Sequence, residues 1–194
     1  MNDTKVIILQ KSLELFLQRS YKEVTLDHIV KAIGLTKGAF YHYYKNKEEI
    51  FEECVKYFYN HFMITDFSTF PKASLKAFYM AYLARLKDTP KGIEENSDSD
   101  TLLFIIEARR RVSSYMEIHF NQRKKEQVEW KSIIDYAKKI KEINTSIPSK
   151  RIATMFLNLS DGIALNRMVT LDKNMASEEL KNDWDMLYNL LGGM

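Results

Sequence analysis

Apolar residues recur at intervals of three and four along most of this 194-residue chain, which is the spacing of one helix face. Val6, Leu9, Leu13 and Phe16 predict a first helix, and Leu26, Ile29, Val30 and Ile33 a second. Thr25 precedes the second, and its hydroxyl can take a first-turn N–H. Gly34 stands where the chain must leave that helix, because glycine enters the left-handed region at little steric cost. Thr36 then caps a short third helix through Lys37, Gly38, Ala39, Phe40, Tyr41, His42 and Tyr43. So short a helix needs support from outside itself, and Phe40 and Tyr44, four apart, can anchor it on the helix before. Asn46 with Glu49 three residues later has the form of a capping box, with Lys47 at the first position of a longer helix. Phe51, Val55, Phe58, Tyr59 and Phe62 carry that helix's stripe to about Ile64.

Residues 65–73 break the pattern, and the next helix is predicted from about Pro71 or Ser74 to Lys87. The segment DTPKGIEENSDSD, 88–100, has the proline, glycine and acidic content of an exposed loop. Helical stretches follow at about 101–121 and 122–143. INTSIPSK interrupts them, and Pro148 suits the start of a helix to about Leu171. A last helix covers about Ser177–Leu191, ended by Gly192 and Gly193. No alternating run is long enough for a sheet, so the fold class is all-α with about nine helices.

The third helix leaves Lys37, Tyr41, His42 and Tyr43 pointing away from its buried side. Lysine neutralises phosphate, tyrosine hydroxyls donate to phosphate oxygens, and aromatic rings can touch thymine methyls. Gly38 costs about 1 kcal/mol of helix propensity against alanine, which implies a benefit from close backbone approach to something outside, with DNA the obvious candidate. At the fourth helix, free N–H groups, the helix dipole and the Lys47 charge all favour a phosphate.

From about Ile8 to Phe51 the chain resembles the amino-terminal domain of the TetR family of bacterial transcriptional repressors. The resemblance rests on LELF closing the first helix, then Tyr21, Thr25, Ile29, Ala32, Gly34, Thr36, Lys37, Gly38 and FYHYYKNKEEI from Phe40 to Ile50. It covers about a quarter of the chain. It implies that Thr25, Thr36, Lys37, Gly38, Tyr41, His42, Tyr43 and Lys47 meet DNA, mostly at the backbone. Two positions depart from the family: Ser20 stands where glycine is usual, and Tyr44 where phenylalanine is usual. The implied organisation is a helix-turn-helix DNA-binding domain over 1–47, a connecting helix over 48–64, and a larger helical ligand-binding and dimerisation domain over 65–194.

Composition changes this picture little. The net charge is +3, but residues 1–47 hold seven lysines and one arginine against two aspartates and two glutamates. The basic excess therefore sits with the reading helix. The runs Arg109–Arg111 and Arg123–Lys125 lie inside helices, where successive residues point in different directions, and read as solvated surface. The single cysteine, Cys54, excludes an internal disulfide and falls on a buried helix face, where inert packing is expected. No stretch reaches the roughly 20 apolar residues of a membrane span, and the first residues lack a signal pattern. A cytoplasmic protein with no membrane partner is expected.

No Gly-rich phosphate loop, HExxH, CxxC or nucleophile elbow is present, and the four histidines are scattered at 28, 42, 61 and 119. Neither an enzyme nor a cofactor is expected. His61 and His119 could share a metal with Glu107 or Asp66, but no spacing requires one. The last two helices carry Ile152, Phe156, Leu159 and Ile163, and Trp184, Leu187 and Leu191, the candidate dimer interface by the resemblance. Gly162 and Ala164 allow close helix approach. Phe62, Phe78, Tyr82, Phe104, Glu107, Tyr115, Phe120, Trp130 and Asn158 are candidates for the pocket of an unidentified small-molecule effector; for any one of the aromatic residues, plain core packing is the competing reading. The function expected is a ligand-responsive regulator: a homodimeric repressor released from a palindromic double-stranded operator by a small, mostly apolar effector. The alternative is a helical small-molecule-binding or adaptor protein that uses its amino-terminal unit for protein contacts.

Overall fold

The computed structural model describes residues 3–63, 65–87, 98–170 and 176–193. Among them are nine α-helices and no strand: α1 Asp3–Gln18, α2 Leu26–Ile33, α3 Lys37–Tyr41, α4 Lys47–Phe58, α5 Leu75–Lys87, α6 Asp98–Arg111, α7 Tyr115–Lys139, α8 Ser149–Thr170 and α9 Ala176–Leu190. A π-helical turn, Tyr59–Met63, prolongs α4, and a 3₁₀ turn covers Phe67–Thr69.

The caps form where the sequence puts them. The Thr25 hydroxyl accepts from His28 N, the Thr36 hydroxyl from Ala39 N, and Asn46 Oδ1 from Glu49 N. Gly34 ends α2 at φ +73°, and Leu35 N donates back to Val30 O at 3.0 Å. The box at α4 differs in one bond: the Glu49 carboxylate turns to Lys45 N, 2.6 Å away. α3 is shorter than the run predicted to Tyr43, although Tyr44 N still donates to Phe40 O at 3.1 Å.

Farther along, the predicted break between 121 and 122 is absent, and α7 runs unbroken from Tyr115 to Lys139. The interruption falls at Val112–Ser114 instead. NQRKKEQ lacks apolar residues yet consists largely of good helix formers, so the helix continues where its periodic signal fades. Lys141, at φ 61°, turns the chain after α7, and Glu142 then caps a distant helix, accepting from Leu75 N at 2.8 Å and Lys76 N at 3.0 Å. Of the predicted loop 88–100, residues 98–100 belong to α6, and 88–97 lie outside the described residues.

The chain divides into two compact units, one of 1–64 with 90–119, the other of 65–89 with 120–194. The first is built on Ile8, Leu13, Phe16, Ile29, Phe40, Phe51 and Phe104, all nearly inaccessible to solvent. α6 therefore shares the core of α1–α4. The second has an aromatic centre: Trp130 stacks on Phe156 at 5.0 Å, meets Trp184 edge-on at 5.1 Å, and Trp184 donates its N–H to Phe156 O at 3.0 Å. Each such side chain is worth about 1.5–3 kcal/mol when fully buried.

Candidate nucleic-acid interface

Phe40 is fully buried and Tyr44 is 2% exposed, so these two residues hold the five-residue α3 against the first unit's core. That fixes which side of α3 faces out. Thr25, Thr36, Lys37, Gly38, Tyr41 and His42 are exposed, and Tyr43 and Lys47 are half-buried. All eight lie in one unit. The Lys37 ammonium pairs with Asp27 on α2 at 2.8 Å, which raises its pKa through that hydrogen bond and the Asp27 charge. The pair is fully open to solvent, so phosphate can replace the carboxylate at little cost. A Cβ added at Gly38 meets nothing nearer than Thr36 Oγ1 at 3.9 Å. The chain itself leaves room there for alanine.

Lys47 is more constrained than its sequence position implies. Its Nζ donates to Tyr21 O and Val24 O, both at 2.9 Å, and lies 4.1 Å from the centre of the Tyr21 ring. Burial lowers its pKa. The guanidinium of Arg111, from the end of α6, also packs on the Tyr21 ring, 4.0 Å from its centre. The Tyr21 hydroxyl donates to Glu48 at 2.8 Å, and Arg111 Nε donates to Glu107 at 2.5 Å. Arg111 is exposed, as its run implies, and is at the same time a packing partner of the Tyr21 ring. No spacing rule could have found it, because Tyr21 and Arg111 are 90 positions apart.

Cys54 is buried, with Sγ 3.6 Å from Leu9 O, and burial pushes its thiol pKa far up. His61 stacks on Tyr57 at 3.9 Å. Among the described residues, no three His, Cys, Asp or Glu side chains come together as a metal site, and no helix is long and apolar enough to cross a membrane.

The candidate pocket residues divide between the units. Phe62, Phe104, Glu107 and Tyr115 belong to the first, and Phe78, Tyr82, Phe120, Trp130 and Asn158 to the second. Phe104, Tyr115, Phe78, Tyr82 and Trp130 are buried core residues, while Phe120 is 59% exposed. Glu107 holds Arg111, and Asn158 accepts from Arg123 at 3.1 Å. Arg123 also meets Asp161 at 2.6 Å and the buried Glu126 at 3.6 Å, so it too is part of a network across helices. Burial raises the Glu126 carboxyl to about 7.

Of the candidate interface residues, Ile152, Phe156, Trp184, Leu187 and Leu191 are buried in this chain's own core, and Leu159 and Ile163 are half-buried. The open face of α8 carries Met155, Gly162, Leu165 and Val169, and that of α9 carries Met186 and Leu190. The reason is geometric: the larger apolar stripe on each helix serves the core, and the smaller one remains outside.

The sequence profile of bacterial regulatory proteins of the tetR family matches residues 8–54. The biofilm operon icaADBC HTH-type negative transcriptional regulator IcaR of Staphylococcus epidermidis is 36% identical over 56 residues, 29% of this chain and 30% of that protein. The uncharacterized HTH-type transcriptional regulator YhgD of Bacillus subtilis is 41% identical over 51 residues, 26% of this chain and 27% of that protein. The matched region thus spans less than a third of either relative. Over the whole chain the likeness is one of fold. A TetR transcription regulator from Haloarcula marismortui superposes with TM-score 0.76 at 17% identity, covering 98% of this chain and 99% of the other. A transcriptional regulator of the TetR/AcrR group does so with TM-score 0.70 at 22% identity, over 96% of this chain and 100% of the other.

Proposed function

We propose that this member of the TetR family of transcriptional regulators is a dimeric repressor that binds a palindromic operator and is released by a small, mostly apolar effector. The observation that carries this reading is the outward face of α3, fixed by Phe40 and Tyr44 and bearing Lys37, Gly38, Tyr41 and His42. In this reading Thr25, Thr36, Tyr43 and the start of α4 position the unit on phosphates, and the exposed side chains of α3 enter the major groove. Lys47 acts mainly through its place at the start of α4, since its ammonium already holds the carbonyls of Tyr21 and Val24.

A two-fold operator needs a two-fold reader. The surface for it is the outer stripe of α8 and α9, Met155, Leu165, Val169, Met186 and Leu190, with Gly162 open to a close-packed helix. The effector acts by binding the DNA-incompetent state more tightly; a coupling of about 1–3 kcal/mol changes operator affinity about 5- to 150-fold.

The test is selection of the purified protein on random DNA fragments at near-physiological salt, beside the Lys37→Ala, Tyr43→Ala double variant. Recovery of a palindrome by the natural protein and its loss in the variant support the reading. Absence of any enrichment, at low salt as well, refutes it and favours a protein-binding adaptor.

A further inference from the structure

The second unit carries a hollow of about 310 Å³ on the outer side of α5 and α7, lined by Lys72, Phe78, Glu129, Ser132, Ile133 and Tyr136. Its volume is that of on the order of ten liquid waters and lies at the lower end of small-molecule sites. The floor is apolar and rigid: Phe78 is 1% exposed and Ile133 is 4% exposed. The Phe78 ring is held by Phe67 in parallel at 5.7 Å, by Phe70 edge-on at 5.3 Å and by Trp130 edge-on at 5.2 Å. Tyr136, 42% exposed, forms an aromatic wall, and Ser132 on the same turn of α7 offers a hydroxyl.

The charge of the lining has both signs. Lys72 and Glu129 are 3.7 Å apart, at the outer limit of an ion pair, with side chains 64% and 36% exposed. A pair so long and so exposed adds little to stability, so opening it costs little. A ligand that carried a carboxylate and an ammonium on one carbon would replace one weak contact with two charge-assisted hydrogen bonds, while its ring lay over Phe78 and Ile133.

We propose that this hollow binds an aromatic α-amino acid, the carboxylate on Lys72, the ammonium on Glu129 and the ring between Phe78 and Tyr136. The site is separate from the DNA-reading face and is tested without DNA, so its failure leaves the repressor reading standing.

The experiment is a titration of the full-length protein with L-phenylalanine, read by tryptophan fluorescence, since Trp130 touches Phe78 from below. 3-Phenylpropionate and phenethylamine are titrated alongside. A ligand of this size is expected to bind with a dissociation constant on the order of 0.1–1 mM. The proposal requires that each analogue lacking one charge bind about tenfold more weakly. Lys72→Gln and Glu129→Gln should each weaken L-phenylalanine by about the same factor. Ser132→Phe, at an exposed position of α7, should fill the hollow and abolish binding while the melting profile is kept. Equal binding of either analogue, unchanged affinity in the two charge variants, or no saturable binding up to about 10 mM by fluorescence and equilibrium dialysis overturns it.

Discussion

Tyr44→Phe should make the protein more stable. Tyr44 is 2% exposed, and its hydroxyl has no hydrogen-bond partner among the described residues. Burial, followed by the electrostatic influence of Cys54, Glu53 and Glu49, pushes its pKa well above the ordinary tyrosine value. An unsatisfied buried hydroxyl costs about 1–3 kcal/mol. Removing it returns most of that cost but leaves a void the size of one oxygen, whose lost contacts offset part of the gain. The net expectation is about 1 kcal/mol of added stability, or a rise of about 2–4 °C in melting temperature for a chain of this length. Far-UV circular dichroism is the right observable, because both tryptophans, Trp130 and Trp184, belong to the other unit's core. Tyr21→Phe is the control: the same atom is deleted where it donates to Glu48 at 2.8 Å. Since Glu48 is exposed, the expected loss is about 1 kcal/mol, in the opposite direction. A Tyr44→Phe protein less stable than the natural one by about 1 kcal/mol would refute the reasoning and require a partner for that hydroxyl.

Glu126→Gln should raise stability at pH 8 by an amount on the order of 1–3 kcal/mol and leave it unchanged near pH 4. Burial lifts the folded carboxyl to about 7, against Arg123 and Arg85, which lower it, and with Asp161, which raises it. The natural protein therefore binds this proton more tightly when folded and loses the contribution as pH rises from about 4.5 through 7. Urea melts across that range should show the slope vanish in the variant. Gly38→Ala should stabilise α3 by up to about 1 kcal/mol, because the added methyl meets nothing in the chain, yet weaken operator binding. Undiminished affinity in a gel-shift titration would show that the glycine does not serve DNA approach. Lys47→Ala should cost about 1–3 kcal/mol of stability by freeing two carbonyls. The slope of log affinity against log salt should stay unchanged; a fall of about 1 in that slope would assign the ammonium to a phosphate instead. Leu165→Arg with Leu190→Arg should give a folded monomer in sedimentation, and a dimer surviving both would move the interface off the outer stripe of α8 and α9.

Much of the first unit was legible because its signals are local. Thr25, Thr36 and Asn46 cap within three residues of themselves, Gly34 needs only its own backbone conformation, and Phe40 and Tyr44 share a face by their spacing of four. The departure at Tyr44 was legible too, as an unusual polar atom on a core position, although only packing reveals that the hydroxyl lacks a partner. The second half was less legible, since periodicity identifies an apolar stripe without saying what covers it. Ile152, Phe156, Trp184 and Leu187 read equally well as core or as interface. The coordinates assign them to the core because α5, α8 and α9 of one chain close on each other. The α7 boundary misled for a different reason: a polar stretch of good helix formers loses its periodic signal without losing its helix.

What sequence could not supply at all is chemistry joined across helices, and the Tyr21 junction is the case that bears on function. The ring stands against the Lys47 ammonium at 4.1 Å and the Arg111 guanidinium at 4.0 Å. The first opens α4 and the second closes α6. Two cations near one ring repel each other, and burial lowers the pKa of Lys47 with Arg111 adding to the effect. The arrangement holds because Glu48 lies beside the Tyr21 hydroxyl and Glu107 beside Arg111, and because the Tyr21 and Val24 carbonyls accept hydrogen bonds from the Lys47 ammonium. Each cation thus has its own acceptors, and the Tyr21 ring is what the two share. That ring joins the first residue of α4 to the last residue of α6. The three-arginine run at Arg109–Arg111 is exposed throughout, yet one of its members packs on a ring from the other end of the unit, a contact that periodicity does not reveal.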